Sequence, residues 1–143
     1  MNVAKYSELP DSMESEDLAV LFHELLDYAD FSNSTGGISS GNESLNIAEA
    51  LTELADRQWH TYEKLDVSIQ NRIEKWIQST WNVDSYELVT HIILVVAHLG
   101  LVSSFQLIKN SLQLPLSLQV KNKIEKAVAE LDDNIGDPYT GMK

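Results

Sequence analysis

Apolar side chains recur every three or four residues along most of this chain, and no segment alternates with the period of two expected of a half-buried strand. In SEDLAVLFHELLDYADF (residues 15–31), Leu18, Leu21, Phe22, Leu25, Leu26 and Ala29 form one stripe, which predicts an amphipathic helix. Ser12 or Ser15 is placed to cap it, with Glu14, Glu16 and Asp17 near its positive start. A second stripe, Ile47, Ala48, Leu51, Leu54 and Ala55, predicts a helix over 43–59. A third, Ile69, Ile73, Trp76 and Ile77, predicts one over 67–81 with Asp66 as its cap. Asp84 with Glu87, and Ser103 with Gln106, have the spacing of capping boxes for a fourth helix over 85–99 and a fifth over 104–112. After Pro115, Ser117 is placed to cap a sixth, with Val120, Ile124, Ala127, Val128 and Leu131 inside.

The longest apolar run, Ile92 to Val102, contains only His98 and Gly100 among apolar residues. It is too short for a bilayer, which takes about 20 residues. Gly100 predicts a break, with the next helix starting within three residues, so the run reads as two helices joined by a tight turn. Leu88, Val89, Ile92, Ile93, Leu94, Val95 and Val96 make the fourth helix apolar nearly all round, which predicts that it is covered on most sides. The expectation is one all-α domain over 1–143: a bundle or short superhelix of about six antiparallel helices. Residues 1–11 are read as an arm, the glycine-rich 32–42 as a flexible loop and 134–143 as a tail. A faint echo between NRIEKWI (71–77) and NKIEKAV (122–128) has a period of 51.

Charge narrows the function classes. The net charge is -12. Residues 1–66 carry 14 acidic and 3 basic side chains, and residues 67–143 carry 8 and 7. Nucleic acid and anionic membrane both require a positive surface, so neither is expected as a partner. A lopsided negative field suits a basic protein and speeds its encounter. With no cysteine, disulfides, thiol catalysis and thiolate metal sites are excluded. The N-terminus lacks a basic start followed by an apolar run, so no signal peptide is read and a cytoplasmic location is expected. Residues 32–42 lack the Gly-Lys-Ser/Thr ending that a phosphate loop requires.

The stretch ELVTHIILVVAHLG-LVSSFQLIKNSLQLP-LSLQVKNKIEKAVAEL, Glu87 to Leu131, resembles HEAT-type helical repeats. In that pattern an apolar helix ends at Leu-Gly, an antiparallel partner follows, and a proline precedes the next unit. Small, acidic, all-helical chains of this length also resemble bacterial immunity proteins, including those of contact-dependent growth inhibition systems. The second resemblance implies a stoichiometric inhibitor that caps a cognate toxin domain, often a nuclease; a non-enzymatic chain without a cofactor is expected.

Two patterns carry candidate chemistry. His23 and Asp27 share a helix face at i and i+4; Asp56 and His60 repeat the spacing in reverse, with Glu63 one turn on. A metal-dependent hydrolase using His23 and Asp27 is therefore one alternative, although the Glu-x-x-His spacing of helical di-metal sites is absent. His91 and His98 form a pocket pair, or each bonds a carbonyl or lies at the rim of the core. The acidic rows point elsewhere. Glu49, Glu53, Asp56, His60 and Glu63 make one stripe if the helix continues past Trp59, and Glu16, His23, Asp27 and Asp30 make another. Such rows are solvated faces by default, but they also mimic phosphates in a basic cleft. Trp59 and Tyr62 lie beside them and have the character of interface anchors. The expected partner-binding residues are thus Asp27, Asp30, Glu49, Glu53, Asp56, Trp59, Tyr62 and Glu63. The main competing function is a helical-repeat adaptor in a larger assembly.

Overall fold

The computed structural model describes residues 6, 8–10, 13–34, 41–61, 63 and 65–131. These form six α-helices and no strand: α1 Ser15–Ser34, α2 Gly41–Trp59, α3 Val67–Thr80, α4 Tyr86–Leu99, α5 Val102–Asn110 and α6 Leu118–Leu131. A 3-10 turn, Ser111–Gln113, follows α5. The chain is all-α, as the apolar periodicity predicts. Both ends of the loop expected over 32–42 are helical, since α1 carries through Ser34 and α2 starts at Gly41; residues 35–40 and the expected tail lie outside the described residues.

The helices form two layers. α2, α4 and α6 pack against one another in succession, as do α1, α3 and α5, while α1–α2, α4–α5 and α5–α6 contacts join the layers. Side-chain contacts fix the directions. Thr52 meets His91 and, seven residues on, Trp59 meets His98, so α2 and α4 run parallel. Glu74 meets Ser104 and Trp81 meets Ser111, so α3 and α5 also run parallel. Gln58 near the end of α2 reaches Ser15 at the start of α1, which makes those two antiparallel. This alternation is the layout of a stack of helical hairpins. It includes the N-terminal half, beyond the HEAT-like stretch. The 51-residue echo does not mark the structural repeat, because α3 and α6 belong to different layers.

The predicted stripes supply the core. Leu18, Phe22, Leu25, Leu26, Ala29, Ile47, Ala48, Leu51, Leu54, Ala55, Ile69, Ile73, Trp76 and Ile77 are buried, with Leu21 at the margin. α4 packs most extensively against α2, and of its apolar residues only Leu94 is exposed, at 38%. Tyr6, from the expected arm, is fully buried, and its hydroxyl donates to Glu24 across 3.1 Å. Burial, the Glu24 hydrogen bond and the Glu24 charge push its phenol pKa well up.

Helix ends depart from the expected caps in instructive ways. Gly100 ends α4 at φ 67°, ψ 43°, where its N–H and that of Leu101 both reach the Val96 carbonyl. A side chain there would meet the left-handed penalty. Ser85, not Asp84, caps α4 by accepting from the Leu88 N–H. Asp66 stands at the start of α3, but its carboxylate accepts from the Ser68 hydroxyl and not from a backbone amide. α5 begins one residue before the expected Ser103 cap, at Val102. Its open N-terminus is satisfied from another helix: Glu74 of α3 accepts from the Ser104 N–H at 2.9 Å and its hydroxyl at 3.3 Å. Ser117 takes its expected role, accepting from the Val120 N–H.

Candidate functional site: the acidic clusters of the first two helices

The two arginines of the chain organise its carboxylates. Arg57, on the last turn of α2, is 4% exposed. Its guanidinium donates to the Pro10 carbonyl at 2.9 Å, the Leu9 carbonyl at 2.8 Å, and the carbonyl and carboxylate of Glu53, both at 2.9 Å. A buried cation needs this completeness of partners. The contacts turn Glu53 from a free member of the acidic row into a ligand of Arg57, and they hold Leu9–Pro10 against α2.

Arg72, on α3, gathers the acidic row of α1. It donates to Asp27 at 2.9 Å, Asp30 at 2.8 Å and His23 Nδ1 at 3.1 Å. Guanidinium cannot accept, so His23 Nδ1 is the acceptor and the imidazole proton is on Nε2. Partial burial works against the Arg72 charge, but the Asp30 and Asp27 hydrogen bonds and charges outweigh it and raise its pKa. Asp27 and Asp30 remain 74% exposed, so each keeps acceptor capacity toward solvent. The groups proposed from sequence as metal ligands on α1 do converge, on a guanidinium. Among the described residues no three His, Asp or Glu are grouped to hold a metal ion. Beside this cluster Asp30, Arg72, Lys75, Trp76 and Ser79 line a cleft of about 290 Å³.

A second cluster lies at the C-terminal end of α2. The helix stops at Trp59 and the chain turns at His60–Thr61, so Glu63 does not extend the acidic stripe. The turn is held by the Thr61 hydroxyl, which accepts from the Glu63 N–H, and by the Gln58 amide, which donates to the Glu63 carbonyl. His60 Nδ1 bonds the Asp56 carbonyl at 2.7 Å, which places its proton there. Trp59 is half-buried, edge-on to His60 and tilted over His98 at 5.8 Å. His98 Nδ1 is buried and has no partner among the described residues. Burial lowers the His98 pKa; the Asp56 charge opposes that and His60 adds to it. His91 faces α2 separately: the Thr52 hydroxyl gives its proton to the Ala48 carbonyl, so His91 Nδ1 donates to Thr52.

The expected partner-binding residues thus fall into groups. Asp27 and Asp30 meet on Arg72; Asp56 and Trp59 stand with His60 and His98; Glu53 turns to Arg57. Glu49 is half-buried, Glu63 is exposed on the turn, and Tyr62 lies outside the described residues. Trp81, just past the end of α3, donates to the buried Ser111 hydroxyl at 2.8 Å and ties α3 to α5. Arg57 and Arg72 were missed, though two arginines among 22 acids were a signal for them. Among the described residues no helix is long and apolar enough to cross a membrane. Comparisons with protein families, characterised proteins and solved structures find no match to this chain.

Proposed function

We propose that the chain is a non-enzymatic binding protein that presents the acidic clusters of α1 and α2 to a basic protein, in the manner of an immunity protein occluding the substrate groove of a toxin domain. The observation that carries this reading is the state of Asp27 and Asp30. Both carboxylates are anchored by Arg72 on one side and 74% exposed on the other. Such groups lose little conformational freedom when a partner's Lys or Arg binds their outer oxygens. Glu14, Glu16, Asp17 and Glu24 are exposed on or beside the same helix and extend the negative surface. Trp59, next to exposed Asp56, supplies an aromatic contact at the other cluster.

The test is genetic and direct. The reading frames beside this gene are searched for a toxin domain, which is expressed with and without the chain, and growth is scored. Rescue by the wild type and its loss in Asp27→Lys/Asp56→Lys, with the variant folded by circular dichroism, supports the reading. Growth arrest unchanged by the wild-type chain, or no toxin reading frame beside the gene, contradicts it. The adaptor reading draws on the two-layer hairpin stack, an architecture suited to scaffolding. It expects association with a partner that varies little with salt.

A further inference from the structure

A groove of about 160 Å³ runs between α4 and α6, lined by Ile93, Leu94, Ala97, Ala127 and Leu131, with Lys123 and Lys126 on its rim and Glu130 at one end. Its chemistry is the reverse of the acidic clusters. Leu94 is the one exposed large apolar residue of α4, at 38%, in a position where a polar side chain would fit a solvated surface. An isolated exposed leucine is ordinary; one that floors a groove beside two lysines is a different arrangement. No described carboxylate lies within ion-pair distance of Lys123 or Lys126, in a chain with 22 acidic residues. The volume matches one large side chain, since a cavity of about 150 Å³ holds a benzene-sized ring.

We propose that this groove docks an acidic amphipathic helix of a partner protein. One large apolar side chain of that helix enters over Leu94, Ala97 and Ala127. Its carboxylates, a turn to either side, pair with Lys123 and Lys126, as in other helix-in-groove complexes. Glu130 sets the direction, because it repels a carboxylate at the Leu131 end. Charge complementarity selects this occupant: a basic helix would meet both lysines, and a neutral one would leave them unpaired. The groove involves none of the α1 and α2 carboxylates and is independent of the proposed inhibitory role.

The probe is a synthetic helical peptide of about 16 residues with a central Phe, Leu one turn away and Glu on the flanks. Its control replaces every Glu with Lys. Methyl NMR of the whole chain is expected to show the acidic peptide shifting Leu94, Ala97 and Ala127, with little response to the basic control. Lys123→Glu/Lys126→Glu, both at solvent-accessible positions, weakens binding about tenfold, the effect of two surface charge reversals. Leu94→Gln weakens it separately, and thermal melts establish that each variant is folded. Equal binding of both peptides, shifts confined to other surfaces, or no binding at millimolar peptide overturns the proposal. So does sedimentation showing a dimer of this chain that Lys123→Glu/Lys126→Glu dissociates, because the occupant is then a second copy.

Discussion

Arg57→Met separates a buried cation that holds the fold from an exposed one that organises a surface. Arg57 is 4% exposed and donates four hydrogen bonds, three of them to backbone carbonyls. Met fills much of the same volume but donates nothing. The Leu9 and Pro10 carbonyls then lose charge-assisted bonds, each worth about 1.5–3 kcal/mol, though Pro10 is exposed and regains water. Glu53 is 40% exposed and regains water, so the full penalty of a stranded buried charge does not apply. The expected cost is about 2–4 kcal/mol, a drop in Tm of about 6–12 °C for a domain of this size. The comparison is Arg72→Met. Its partners are 74% exposed, and exposed pairs contribute about 0–1 kcal/mol. Urea and thermal melts followed by circular dichroism measure both. Limited proteolysis near Leu9 reports the second consequence, release of the N-terminal segment in Arg57→Met alone. A cost under about 0.5 kcal/mol for Arg57→Met, or a larger cost for Arg72→Met, rules out Arg57 as the cation that holds the fold.

The other expectations concern single contacts. Gly100→Ala places a Cβ at φ 67° and should cost about 1 kcal/mol in a urea melt; an unchanged midpoint contradicts the left-handed cap. Glu74→Ala removes the acceptor from the start of α5 and should cost about 1 kcal/mol, with faster amide exchange at Ser104; unaltered exchange there counts against it. The folded His98 pKa lies below the free value of about 6.5, so between the two the unfolded chain binds more protons and stability rises with pH. That contribution is present above pH 6.5 and is lost as pH falls through the folded pKa. The acid-side slope of stability should therefore be shallower in His98→Leu, and an identical slope removes His98 as a cause.

Local chemistry made much of the fold legible. Each stripe is set within four residues, so Leu18–Ala29, Ile47–Ala55 and Ile69–Ile77 could be assigned without tertiary information, and Gly100 marked its own turn. What escaped depends on distant partners. Ser85 in place of Asp84 is a choice between two adjacent good caps. The cap of α5 comes from Glu74, 30 residues earlier, which no local pattern encodes. Arg72 and Asp27 are 45 apart in sequence, and Arg57 and Pro10 are 47 apart. Tyr6, alone in a polar stretch, carries no periodic signal, and its burial follows from the groups that surround it. The acidic rows were visible as composition, but the pairing that divides them into Arg72-held, Arg57-held and open carboxylates was not. For the same reason the extended stripe failed at Glu63: Thr61 and Gln58 favour a turn there over another turn of helix.

The proposed role requires that the α1 and α2 carboxylates steer a basic partner onto this chain. The direct measurement is the association rate with whichever toxin domain the rescue experiment identifies, by stopped flow across about 50–500 mM salt, over which the screening length falls to about 4 Å. The expected result is a rate that falls by about ten-fold or more across that range, and a shallower salt dependence for Asp27→Asn/Asp56→Asn. A rate that stays flat with salt, or the same slope in the variant, contradicts it.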